Sequence, residues 1–132
     1  MNFTAYLIPV AKARARLTVI AGHAHAYTPK KTANAEQIIR NAFLDAGGKK
    51  IAKGIPIILR VVVFRPRPVS LPKKREYAVS RPDLDNYVKT VMDGLNKYAW
   101  EDDSQIVSLS AQKLFGDPPR IEVEINTIEE RI

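Results

Sequence analysis

Apolar positions along the chain follow helical, alternating and continuous patterns. Leu84, Val88, Val91 and Leu95 recur at i, i+4, i+7 and i+11, the spacing of one face of a helix from about Leu84 to Tyr98. Ala35, Ile38, Ile39, Ala42 and Phe43 make a second such stripe, with Thr32 placed to cap that helix and Gly47-Gly48 to stop it after Ala46. Arg120-Ile121-Glu122-Val123-Glu124-Ile125 alternates as a half-exposed strand does, and Asp117-Pro118-Pro119 turns the chain into it. Asn2 to Ile8, ended by Pro9, and Ile106 to Ala111 also read as strands. From Ile55 to Phe64 the sequence is nearly unbroken apolar, short and β-branched, which predicts a central strand covered on both faces. In Lys12 to Ile20 the cations recur every second residue, so an extended chain lines Lys12, Arg14 and Arg16 along one face.

The element order is then ββαβαββ. Helices and strands without strict alternation predict an α+β fold: a single domain over residues 1–132, with a mixed β-sheet and helices packed mainly on one side. A chain of 132 residues suffices for one such core. Its 45% hydrophobic and 27% charged content is that of a globular protein, and no apolar run approaches the roughly 18 residues of a membrane span. Met1 to Val10 lacks a basic start, a long apolar stretch and a cleavage site, and cysteine is absent. Export signals, disulfides and thiolate metal sites drop out, and a cytoplasmic setting is expected.

Charge is unevenly divided. Residues 1–81 carry 16 Lys and Arg against Glu36, Asp45 and Glu76, a balance of +13; residues 82–132 carry 5 against 11, a balance of −6. Excess positive charge of that size attracts phosphate polymers and makes binding salt-dependent, so nucleic acid is the leading partner. Residues 65–82 form a basic, proline-rich segment, Arg65-Pro66-Arg67-Pro68 followed by Lys73-Lys74-Arg75, expected as a mobile loop that orders on a nucleic-acid backbone. Lys12, Arg14, Arg16, Lys30, Lys31 and the Lys73, Lys74, Arg75 cluster are candidate phosphate contacts as a group.

Against this background, residues 81–103 hold six of the fourteen acidic side chains. Asp83 sits at an expected helix N-cap and Asp85 in its first turn, while Asp85, Lys89 and Asp93 are spaced four apart and share a face. If the next strand folds back beside the helix start, Asp102 or Asp103 meets Asp83 and Asp85. Carboxylates so gathered repel one another unless a cation neutralises them, and Mg²⁺ does this with hard oxygen ligands while keeping waters. Such an ion activates water against phosphorus, and Lys89 offsets charge in the transition state. Taken singly, each residue also has a plain role as cap, helix-dipole acid, ion-pair partner or turn.

Arg81-Pro82-Asp83-Leu84-Asp85-Asn86, Lys89, Asp93 and Trp100-x-Asp102-Asp103-x-Gln105-Ile106 together resemble the signature of the RusA family of Holliday-junction resolvases, also called crossover junction endodeoxyribonucleases. Lys12-Ala13-Arg14, Tyr27 to Lys30 and the helix to Phe43 extend the likeness over most of the chain. The resemblance implies an Mg²⁺-dependent homodimer, with Mn²⁺ as a substitute, that cuts two strands of four-way junction DNA symmetrically in recombination and repair, in a bacterial or phage-infected cell. It makes Asp83, Asp85 and Asp103 the essential carboxylates, with Asp102 an adjacent candidate, and Lys89 the catalytic lysine. Pro82 stands where some members carry a DNA-contacting arginine, which leaves Arg81 as the candidate for this contact.

Two rival readings compete. A non-catalytic nucleic-acid-binding module needs only the basic half. A phosphatase with an aspartyl nucleophile normally places its DxD after a buried strand, whereas Asp83 follows Glu76-Tyr77-Ala78-Val79-Ser80-Arg81-Pro82. His23 and His25 lack a third His or Cys nearby and read as ordinary β-loop histidines. Trp100, near Tyr98 at a helix end, reads as a core anchor rather than a base-stacking platform.

Overall fold

The computed structural model describes residues 1–13 and 16–129; Arg14 lies outside the described residues. The elements are β1 (Asn2–Tyr6), β2 (Arg16–Ile20), β3 (His23–Tyr27), α1 (Lys30–Asp45), β4 (Ile57–Arg65), α2 (Leu84–Leu95), a 3-10 turn (Asp103–Gln105), β5 (Ile106–Phe115) and β6 (Arg120–Thr127). Four strands form one mixed sheet in the order β1-β6-β4-β5, in which only β4 and β5 run parallel. A parallel pair needs a long crossover, and here the segment carrying α2 supplies it. β2 and β3 make a separate antiparallel hairpin. Among the described residues, no helix is long and apolar enough to cross a membrane.

The strand period of two sorts the sheet into an inner and an outer face. Ile57, Leu59, Val61 and Val63 of β4 share the inner face with Ile121, Val123 and Ile125 of β6 and Phe3 and Ala5 of β1. Ile39 and Phe43 of α1 and Val88, Val91 and Leu95 of α2 complete one core on that side. The mixed sheet with helices on one side is therefore the architecture expected.

Several local expectations change. Helices cover only one face of β4; on the other, Ile58 is 36% exposed, Arg60 is exposed, Val62 is buried and Phe64 is half-buried. Phe64 is screened by a long polar side chain rather than by a second layer, with the Arg120 guanidinium 3.8 Å from its ring. Thr32 does not cap α1, which begins at Lys30 after Pro29; Thr32 is buried inside the first turn. Ile38 is 41% exposed and leaves the stripe to Thr32, Ala35, Ile39 and Phe43. α2 ends at Leu95, because Lys97 takes a left-handed conformation (φ 71°). α1 and α2 approach closely at Gly94, where a Cβ would lie 2.9 Å from the Glu36 carbonyl oxygen.

The hairpin was not expected as such. Ala21 and Gly22 both have positive φ (52° and 81°) and close a two-residue turn between Ile20 and His23, the mirror-image geometry that fits strand twist. His23 and His25 thus lie on β3. Lys12 precedes β2 rather than lying in it, so it does not share a strand face with Arg16.

Candidate active site

The 65–82 segment leads directly into the acidic residues, and it is anchored rather than free. Arg67 donates to the backbone oxygens of Pro72 and Arg75, and its guanidinium lies over Phe115. Arg65 donates to Ser80, Ala78 N–H to the Lys113 carbonyl, and Phe115 N–H to the Glu76 carbonyl. Lys113 of β5 then clamps the approach to α2, donating to the carbonyls of Ser80 (2.8 Å) and Pro82 (2.7 Å), the residue before Asp83. Lys73, Lys74 and Arg75 remain exposed at the tip, and Arg81 and Lys30 are exposed as well. Sequence reasoning missed Lys113, whose partners are main-chain carbonyls that leave no residue-type signal.

Asp83 is the N-cap residue of α2, in extended conformation, yet its side chain makes no capping hydrogen bond. Its carboxylate is exposed beside the helix N-terminus, as is that of Asp85. A helix end of this kind favours negative charge through its free N–H groups. One turn further, Lys89 Nζ lies 3.0 Å from Asp93 Oδ1, the i,i+4 pair foreseen from spacing. Asp93 Oδ2 also receives Lys12 Nζ at 2.9 Å, and Lys12 reaches Glu36 Oε1 at 2.7 Å. Burial alone would lower the Lys12 ammonium, but its hydrogen bonds to and charge attraction by Glu36 and Asp93 outweigh this and hold it above 10.5. Lys12, expected as a phosphate contact, is instead committed to two carboxylates inside the protein, and its N–H donates to the Asn86 carbonyl.

The second acidic group is built on a tight turn. Asp102 Oδ2 accepts Ser104 N–H at 3.0 Å, while Gln105 Oε1 accepts the N–H groups of Glu101 (2.9 Å) and Asp102 (3.0 Å), a reciprocal capping box. Gln105, 8% exposed, also donates to the carbonyls of Ala52 and Ile55. Asp103 has a different partner: its Oδ1 accepts the buried indole N–H of Trp100 at 2.7 Å. Burial pushes the Asp103 carboxyl above its usual value, opposed by the Trp100 hydrogen bond and Lys89 and reinforced by the charges of Asp93 and Asp102. The Ser104 hydrogen bonds hold Asp102 below the usual range. Trp100 is fully buried, as an anchor would be.

The expected convergence of Asp102 or Asp103 on Asp83 and Asp85 is not a ready-made cage. Among the described residues, no group of three or more His, Cys, Asp or Glu side chains is placed to hold a metal ion. The charges that act on Asp103 include those of Lys89 and Asp93 of α2 and of its neighbour Asp102. The donor set still suits Mg²⁺, which is commonly bound by one or two carboxylates, several waters and substrate phosphate oxygens. Beside Asp85 and Lys89 runs a groove of about 530 Å³ between α2 and β5, lined by Leu84, Val88, Met92, Leu109 and Ala111.

The family model described as Endodeoxyribonuclease RusA matches residues 7–126. The uncharacterized protein YqaN of Bacillus subtilis (strain 168) is 36% identical over 97% of this chain and 96% of its own. The crossover junction endodeoxyribonuclease rusA of Lactococcus phage r1t is 40% identical over 79 aligned residues, 58% of each chain. A match running from before β2 to all but the last residue of β6 makes the assignment plain: the chain belongs to the RusA family of endodeoxyribonucleases.

Proposed function

We propose that the protein resolves Holliday junctions in DNA recombination and repair, as an Mg²⁺-dependent homodimer that makes paired, symmetric incisions, with Mn²⁺ able to replace Mg²⁺. The observation that carries this reading is Asp83, a helix N-cap residue whose exposed carboxylate caps nothing and is therefore free for a ligand. The phage relative bearing the crossover junction endodeoxyribonuclease name supports the junction as substrate.

Asp83, Asp85 and Asp103 are the metal-binding and catalytic carboxylates in this reading. Asp102, engaged with Ser104, shapes the turn that carries Asp103. These carboxylates would hold a divalent cation, which would acidify a water and offset charge on the leaving oxygen. Lys89, paired with Asp93, would supply positive charge to offset that of the reacting phosphoryl group. Arg81, Lys30, Lys73, Lys74 and Arg75 are exposed cations for backbone phosphates. One site cuts one strand, whereas a four-way junction presents two strands related by two-fold symmetry, which a C₂ dimer matches.

The test is a four-way junction labelled on each strand in turn. Incisions at symmetry-related positions, yielding nicked duplexes that ligase seals, are expected. The Asp83→Asn protein should bind the same junction with unchanged affinity and leave it uncut; cutting at the parental rate removes Asp83 from catalysis. A purely DNA-binding module predicts no cleavage by the parent protein with any divalent metal.

A further inference from the structure

Trp100 is the one tryptophan of the chain and is fully buried. A buried indole N–H needs an acceptor, and main-chain carbonyls are the usual choice. Here the acceptor is a carboxylate oxygen three residues on, at 2.7 Å, the short distance of a charge-assisted bond. The turn does not depend on this bond for its shape. Asp102, Ser104 and Gln105 already close it through the capping box, and Gln105 ties it to Ala52 and Ile55. The Ile51–Trp100 bridge and the Lys50–Glu101 ion pair fasten the same stretch from outside. What the indole adds is therefore the orientation of one side chain, Asp103, fixed by Oδ1 with Oδ2 outside that bond.

We propose that Trp100 is a positioning residue for divalent-metal binding: its indole N–H locks the Asp103 carboxylate so that the second oxygen is presented to the cation. The inference rests on the metal-nuclease reading above and assigns to Trp100 a task beyond core packing. Partners that orient metal ligands in this way typically govern affinity by about 10- to 100-fold. Because Trp100 touches the ligand itself, its emission also reports on the site.

Two measurements on the full chain test this. Mg²⁺ titrated into the parent protein should change Trp100 fluorescence saturably, and the change should vanish in Asp103→Asn. Mn²⁺ binding followed by electron paramagnetic resonance should weaken about tenfold in Trp100→Phe, while the cleavage rate at saturating metal stays within a few-fold of the parent. Should Trp100→Phe fail to fold, the fluorescence titration of the parent decides alone. Unchanged Mn²⁺ affinity in folded Trp100→Phe, or flat emission from a parent protein that binds Mn²⁺, overturns the proposal and leaves the nuclease reading standing. A parent that neither binds Mn²⁺ nor cuts a junction overturns both.

Discussion

Asp103 carries opposed demands within one side chain. Burial and the charges of Asp93 and Asp102 raise its carboxyl above 3.8, against the pull of Trp100 and Lys89. Between 3.8 and the raised value, the folded chain holds a proton that the unfolded chain has released, so stability falls as pH rises through that window and the ionised group costs stability at neutral pH. Asp103→Asn is therefore expected to raise the melting temperature at pH 7 in chelator while abolishing cleavage, the trade common at functional sites. The gain should shrink as pH falls below the ordinary carboxylate range. Calorimetry at both pH values checks it, and a lower melting temperature for the variant at pH 7 contradicts it. The residues of this site were legible from spacing only where partners are close in sequence. The Lys89–Asp93 pair follows from i,i+4 geometry, but Lys12 meets Asp93 and Glu36 only through the tertiary fold. Periodicity therefore placed Lys12 on a basic strand face, where it does not lie.

The turn between α2 and β5 is held chiefly by Gln105. Its side chain makes four hydrogen bonds to main-chain groups of Glu101, Asp102, Ala52 and Ile55. Gln105→Ala strips these partly buried groups of partners, so a loss of roughly 2–3 kcal/mol is expected. Urea unfolding measures it, and a loss below about 0.5 kcal/mol shows that the turn is fixed by other interactions. Cleavage should fall further than stability at low metal, because Asp103 rides on this turn. At this scale the long periodic elements were read well. α1, α2, β4 and β6 lie where apolar spacing placed them, since each buries one stripe against the same core. Ends and tight turns were not: Lys97 at positive φ stops α2 without a glycine, and Ala21-Gly22 lacks the Asn or Asp that usually announces such a hairpin.

Across the whole molecule, the basic first part touches the acidic second part where Lys12 pairs with Asp93 of α2. The 65–82 segment carries Lys73, Lys74 and Arg75 outward while its ends are pinned by Arg65, Arg67 and Lys113. Replacing the three tip cations with alanine is expected to reduce the slope of log affinity against log salt by about one for each phosphate that is no longer neutralised. Junction binding measured across a salt series checks this; an unchanged slope places the DNA elsewhere. The one-sided sheet followed from mixed element order, but the bareness of its outer face did not. The β4 pattern is as apolar as that of a strand covered twice, and only tertiary structure shows Arg120 lying over Phe64.

The most direct test of a metal-dependent, junction-selective nuclease is single-turnover cleavage of a synthetic four-way junction beside a linear duplex of the same sequence, with Mg²⁺ or with chelator. Rapid incision of the junction alone, abolished by chelator, is the expected result. Equal cutting of the linear duplex, or cutting that persists in chelator, contradicts the account.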